Sequence, residues 1–149
     1  MPDKRTTKKA REDLREGKSP STAAGEFVHE EMDHVREGKH GARSAKQAIA
    51  IGLSKARRAG IPLGRPRTGS ARTKRQAARE ERGAKKGGSR PPSPKRSRAV
   101  RGALEREPHQ AASHRALSRQ AHKASQRRTA SDRSAAARKA ARTRKRGRG

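Results

Sequence analysis

Apolar residues recur at helical spacing in the first 64 positions of this 149-residue chain and become sparse afterwards. Over 20–37 and again over 44–59, an apolar side chain returns every three or four residues, which predicts two helices with one apolar stripe each. A weaker pattern over 7–16 predicts a third helix. The members of the two stronger stripes are Ala24, Phe27, Val28, Met32 and Val35, followed by Ala45, Ala48, Ile49, Leu53 and Ala56.

An internal repeat marks where these helices end. The tetrapeptide Arg-Glu-Gly-Lys occupies 15–18 and 36–39, and a third glycine, Gly60, follows closely after two arginines. Glycine after basic residues favours a helix stop, because glycine accepts the left-handed backbone and cations favour the negative end of the helix dipole. Helix starts are predicted at Ser19, which precedes a proline, and at Ser44, which opens an S-x-x-Q capping box.

Charge is distributed as unevenly as hydrophobicity. Residues 1–64 contain 14 Lys and Arg and 9 Asp and Glu, whereas residues 65–149 contain 28 and 5. The hydrophobic fraction is 27%, and Phe27 is the single aromatic residue. A chain of low hydrophobicity and high net charge buries too little apolar surface to offset the entropy of ordering. We therefore predict an all-α protein, with a small helical head over 1–63 and a long, largely disordered basic tail over 64–149.

Within the tail, four stretches rich in Ala, Arg and Lys have good helix propensity. They cover 70–85, 94–105, 111–128 and 131–144, and Gly, Pro and Ser residues punctuate the regions around them. We expect these stretches to be nascent helices, which form when phosphate groups neutralise the repulsion between their cations.

The head resembles a family of short, basic, mostly uncharacterised bacterial proteins. The resemblance extends over about residues 11–63, and its closest part is the segment SAKQAIAIGLSKARRAG at 44–60. Members of the family carry extensions rich in Lys, Arg and Ala and are taken, from their charge, to bind DNA. The resemblance implies a small helical module with this role, and it supplies no catalytic residues.

The tail resembles, in composition, the tails of linker histones and of bacterial histone-like proteins. The segment Ser93-Pro94-Lys95-Arg96 looks like the S-P-K-K/R turn of linker histones, which favours A·T-rich minor grooves. The tripeptide Gly64-Arg65-Pro66 matches the centre of an AT-hook, although Leu63 replaces the arginine that usually precedes it. The alternative interpretation of these segments is a basic linker that contains proline.

Several kinds of chemistry are not expected. The absence of Cys excludes disulfides and thiolate metal sites, and no apolar run approaches the ~20 residues that span a bilayer. The segment from His29 to His34 superficially matches a zinc motif, but its two histidines are five residues apart and do not share a helix face. No nucleotide-binding or nucleophile motif occurs. We expect a non-enzymatic intracellular protein without metal or cofactor.

Five acids on the second predicted helix form a cluster. We expect them to make a solvated face that supports the helix through i,i+4 pairs and points away from DNA. In the alternative, this face holds the basic tail until DNA displaces it. The five residues are Glu26, Glu30, Glu31, Asp33 and Glu37.

The leading hypothesis is a nucleoid-associated, histone-like protein that binds duplex DNA with little sequence preference by neutralising phosphates. The runner-up is an RNA-binding or ribosome-associated basic protein. A third hypothesis is a protein-interaction module whose tail is an electrostatic anchor. Membrane binding is not expected, because the tail lacks aromatic residues and a leucine-rich face.

Two sets of residues are predicted to carry these contacts. Homodimerisation is one route by which the small head could gain stability, through an apolar surface formed by Phe27, Met32, Ile49 and Leu53. The residues predicted to contact DNA are Lys46, Lys55, Arg57, Arg58, Arg65, Arg67, Lys95, Arg96, Arg98, Arg138, Lys139, Arg142, Arg144, Lys145 and Arg146.

Overall fold

The protein is described by a computed structural model that covers residues 3–66, 69–87 and 93–147. Every regular element within those ranges is helical, which confirms the all-α class. None of these helices combines the length and apolar character that crossing a bilayer requires. The helices are α1 (Lys4–Arg15), α2 (Pro20–Arg36), α3 (Ala45–Arg58), α4 (Ala71–Lys85), α5 (Pro94–Glu105), α6 (His114–Gln126) and α7 (Ala130–Arg146), with a 3₁₀ turn at His109–Ala112.

Helices α2 and α3 begin and end at the predicted signals, whereas α1 begins at Lys4, three residues before its predicted start. The side chains of Ser19 and Ser44 accept hydrogen bonds from the backbone N–H groups of Thr22 and Gln47, which caps α2 and α3. At the three C-termini, the N–H after the glycine donates to a carbonyl five residues earlier, which closes a Schellman cap. This geometry requires a left-handed residue, and φ is +76°, +73° and +89° at Gly17, Gly38 and Gly60.

The core of the head is built mostly from alanine around one aromatic ring. Helix α2 packs against both α1 and α3, and Phe27 is fully buried between them. Ile61, which follows α3, also reaches this core. Small side chains allow helices to approach closely, and the remaining members of the buried cluster are Ala10, Ala23, Ala24 and Ala56.

The closest approach of α2 and α3 lies at Gly52. A Cβ atom at this position would be 2.7 Å from the Cα of Val28 and 3.0 Å from the carbonyl oxygen of Phe27. Carbon atoms in good contact are about 3.5–4.0 Å apart. Glycine is therefore the residue that fits this crossing.

The described residues after Gly64 are mostly helical, so the predicted disorder of the tail is not supported. Helices α4, α5, α6 and α7 occupy nearly the four stretches that the sequence marked as nascent helices. The physical reason is local, since alanine-rich sequence has high helix propensity. Hydroxyl side chains also cap three of these helices, each accepting a backbone N–H bond: Ser70, Ser93 and Thr129.

Part of the predicted tail packs onto the head. The backbone N–H of Gly41, in the loop between α2 and α3, donates to the carbonyl of Leu104 at 2.8 Å. Arg36 Nε donates to the carbonyl of Ala112 at 3.1 Å. The described chain divides into one compact unit up to Ser113 and a second from His114, so the predicted boundary at 63/64 falls inside the first unit.

Candidate functional site

The four basic residues predicted on α3 do not form one patch. Lys46 is exposed in the first turn, about 13 Å along the helix axis from Lys55. Arg58 is exposed, but its Nε donates to the carbonyl of Ser54 in the same helix. Arg57 is half-buried, and its buried Nε has no hydrogen-bond partner among the described residues. Lys55 points into the head, with 14% of its side chain exposed, which does not suit contact with a phosphate.

The predicted AT-hook lies at the edge of the described chain. Arg65 is exposed in an irregular segment that follows α3. Arg67, which follows this tripeptide and is also predicted to contact DNA, lies outside the described residues. The prediction of minor-groove binding at this segment therefore stays a prediction.

The S-P-K-R segment forms the start of α5. Ser93 is the N-cap, and its hydroxyl accepts the backbone N–H of Arg96 at 3.3 Å. Pro94 occupies the first helical turn, where its lack of an N–H has no consequence. The three basic residues predicted to contact DNA here are all exposed: Lys95, Arg96 and Arg98.

The densest basic surface of the described chain lies on α7, where every residue is exposed. At 100° per residue, five of its seven cations fall within an arc of about 120° and span about 12 Å of helix axis. Arg133 and Arg144 project from another side, and Asp132 in the first turn is the helix's one acid. The five residues, here called the α7 basic face, are Arg138, Lys139, Arg142, Lys145 and Arg146.

Helix α6 carries a second basic face that the sequence analysis did not single out. Arg115, Arg119 and Lys123 recur every four residues, which places them on one side of the helix. The helix contains no acid. The four-residue spacing of these cations in the sequence is the pattern that predicts this face.

A buried group of ionisable side chains lies where α2, α3 and the loop between them meet. Lys55 Nζ is 2.6 Å from Glu31 Oε2 and 3.3 Å from Glu30 Oε1. Glu31 is fully buried, and His40 Nε2 lies 3.2 Å from its other oxygen, Oε1. The prediction of a solvated acidic face is therefore wrong for Glu30 and Glu31. We refer to Glu30, Glu31, His34, His40 and Lys55 as the charge cluster.

The surroundings shift the pKa of two members of the charge cluster. Burial by itself would raise the pKa of Glu30, but a hydrogen bond from Thr6 and the charge of Lys55 outweigh it and lower the pKa. Partial burial lowers the pKa of His34 below 6.5, and the positive charges of Lys55 and Lys39 act in the same direction. Glu30 is therefore held as a carboxylate and His34 as a neutral imidazole.

The helical spacing of residues along α2 and α3 predicts the ion pair between Glu31 and Lys55. Glu31 comes four residues after Phe27 and four before Val35, so it shares their buried stripe. Lys55 comes three residues after Gly52, on the side of α3 that approaches α2. A buried acid opposite a buried base predicts a salt bridge. His40 carries no such signal, because it lies in a loop whose path depends on the contacts with residues 104–108.

The apolar surface predicted to join two copies is largely used within one chain. Phe27 and Met32 are buried in the protomer. Ile49 and Leu53 are half-buried, and Leu53 packs against the core. A homodimer stays a prediction, and of these four residues only Ile49 and Leu53 have surface for a second copy.

Comparison with known proteins adds no assignment to these sites. No protein-family model, no curated protein and no solved structure matches this chain. The resemblance of the head to short basic bacterial proteins, and of the tail to histone-like tails, therefore stays a prediction.

Proposed function

We propose that this protein binds duplex DNA largely without regard to sequence, as a non-enzymatic, nucleoid-associated and histone-like protein. The observation that carries the proposal is the α7 basic face, which puts five exposed cations on one side of one helix. A nonspecific DNA-binding protein needs many accessible cations and few competing acids. Residues 114–149 contain thirteen Lys and Arg and one acid.

The spacing of this face suits the charge density of DNA. Duplex DNA carries one negative charge per about 1.7 Å of axis, so the ~12 Å length of the α7 basic face corresponds to about seven phosphates. An α-helix also fits the major groove of B-form DNA. Each phosphate neutralised releases condensed counterions, and this release supplies affinity that does not depend on base sequence.

Several separate basic surfaces support a bridging role. The basic face of α6 and the exposed cations in the first turns of α5 add contacts at other points of the chain. A chain with more than one such surface holds two duplex segments at once, because binding of the second becomes effectively intramolecular. Bridging of this kind compacts DNA.

The helical form of the basic segments favours duplex DNA over RNA. The major groove of A-form RNA is deep and narrow, so side chains on a helix do not read it easily. Single-stranded RNA is bound mainly by stacking bases on aromatic rings, and this chain has one aromatic residue, Phe27, which is buried.

The test is a salt series of binding to a short DNA duplex, with the full chain and a variant whose α7 basic face is changed to Gln. For the parent chain, the logarithm of the binding constant should fall linearly with the logarithm of the salt concentration. If all five cations contact phosphates, the slope of the variant should be shallower by about 4 to 5. Two unrelated duplex sequences should bind the parent chain with equal affinity.

A matched control removes the same charge from the mixed-charge part of the chain. Five exposed cations there, changed to Gln, should leave the slope close to that of the parent chain. A slope unchanged by the α7 variant would overturn the proposal, as would preferential binding of a structured RNA at equal length and salt. The control positions are Lys4, Arg5, Arg11, Arg15 and Arg43.

A further inference from the structure

One contact in the charge cluster needs a positive charge between its partners. His40 Nδ1 lies 3.0 Å from the carbonyl oxygen of Gly41. A carbonyl oxygen only accepts, so Nδ1 carries the proton of that bond. In a neutral imidazole, Nε2 then has a lone pair, and it lies 3.2 Å from the carboxylate oxygen Glu31 Oε1. Two acceptors at this distance repel each other unless a proton or a metal ion lies between them.

Two carboxylates around Glu31 share one directly paired ammonium group. Among the described residues, Lys55 is the lysine within salt-bridge distance of Glu30 and Glu31, while Lys39, Arg96 and Arg101 line the adjoining cavity. Glu31 is fully buried, and neither of its oxygens accepts a correctly directed hydrogen bond from a described residue. Glu31 Oε2 is paired with Lys55, so Oε1, beside His40, is the oxygen open to a second positive partner.

A third donor lies beside this contact. The donor atoms of Glu31, His34 and His40 all lie within 4.8 Å of one another. Zinc binds such oxygen and nitrogen donors at about 2.0–2.2 Å, so tetrahedral ligands lie about 3.3–3.5 Å apart. The contact between Glu31 and His40, at 3.2 Å, is close to this distance. The half-buried His34, whose donor atom lies within 4.8 Å of both, would move closer on binding the ion.

The arrangement around the three donors matches that of a zinc site with an open position. The Gly41 carbonyl holds the His40 ring through Nδ1, as outer partners commonly hold metal-binding histidines. The donors also line a cavity of about 600 Å³, which leaves space for a water molecule as the fourth ligand.

We propose that Glu31, His34 and His40 bind a zinc ion, with a water molecule from the adjoining cavity completing its coordination. The ion would replace the proton that the contact between Glu31 and His40 otherwise requires. It would also tie α2 to the loop that carries His40, and this loop holds Leu104 through the N–H of Gly41. The proposal is independent of DNA binding.

The test is a calorimetric titration of the metal-free full chain with Zn²⁺, repeated with His34→Gln and His40→Gln. These substitutions avoid Glu31, whose loss would leave Lys55 buried without its closest partner. The parent chain should bind one ion in this site, and each substitution should weaken binding at least tenfold. Co²⁺ in place of Zn²⁺ should give the intense visible absorption of a four-coordinate site in the parent chain and not in His34→Gln or His40→Gln.

Two further histidines provide controls. His29 is exposed on α2 outside the cluster, and His122 is exposed on α6. The variants His29→Gln and His122→Gln should bind Zn²⁺ as the parent chain does, and circular dichroism should show that all four variants stay folded. Equal Zn²⁺ affinity in the parent, His34→Gln and His40→Gln chains would overturn the proposal. Loss of binding in His122→Gln alone, or no saturable binding in the micromolar range, would do the same.

Discussion

At the scale of single residues, position in the helix decides what a charged side chain does. Lys55 and Lys46 belong to the same helix, yet Lys55 is held by two carboxylates inside the head and Lys46 is exposed to solvent. Removing one partner of such a buried ion pair leaves the other charge buried without compensation. Net charge alone therefore does not identify the cations that meet a polyanion.

The charge cluster should make the stability of the head depend on pH. The pKa of His34 is lower in the folded chain than the ordinary value of 6.5, so the unfolded chain binds this proton first as pH falls. The free energy of unfolding should therefore decrease from about pH 6.5 downwards, until pH passes the folded pKa. The pKa of Glu30 is also lowered, so its stabilising contribution is present above 4.5 and is lost as pH falls through the folded pKa.

Urea unfolding of the full chain between pH 7.5 and 4, with a chelator present, measures this dependence. In His34→Gln the decrease that begins near pH 6.5 should be smaller, while the loss at lower pH that Glu30 causes should remain. His29→Gln serves as a control because its side chain is exposed and its pair with Asp33 lies on the surface. A His34→Gln profile that superimposes on the parent profile would contradict the assignment.

At the scale of helices, the fit between α2 and α3 depends on small residues. Gly52, in α3, lies where the two backbones meet, whereas Gly25, in α2, has no atom within 4 Å of the position a Cβ would take. Alanine is a better helix former than glycine at both positions. Alanine substitution therefore changes helix propensity alone at Gly25, and both helix propensity and helix packing at Gly52.

Alanine substitution at these two glycines should change stability in opposite directions. Gly52→Ala should lower the free energy of unfolding by about 1–3 kcal/mol, because the new methyl group overlaps the backbone of α2. Gly25→Ala should raise it by about 0.5–1 kcal/mol, since the methyl group meets nothing and the helix gains propensity. Urea unfolding of the two variants measures both values. A free energy of unfolding that does not fall in Gly52→Ala would show that α2 and α3 do not pack closely at Gly52.

Local signals in the sequence predict most helices but fewer of the contacts between them. The serine caps and the glycine stops act within a few residues, so they place α2 and α3 to within one residue at each end. The docking of residues 104–112 on the head depends on backbone hydrogen bonds between distant segments, for which composition carries no signal. The site formed by His40 depends on the same docking and is hidden from sequence reasoning for that reason.

At the scale of the whole molecule, repulsion between the many cations opposes helix formation. Helices α6 and α7 contain no buried residue, so they are held by helix propensity, with the Thr129 cap on α7, rather than by a core. Like charges four residues apart weaken them further. Neutralisation by salt or phosphate removes that repulsion, so binding to DNA and helix formation should reinforce each other.

Far-ultraviolet circular dichroism of the free chain tests this balance. If every helix forms, about two-thirds of the 149 residues are helical. If only α1, α2 and α3 form, with 12, 17 and 14 residues, the helical fraction is below one-third. We expect the higher fraction at physiological salt, a lower one at low salt, and recovery on adding a short DNA duplex. A fraction below one-third at every salt concentration would instead mean that the basic segments fold only on their partner.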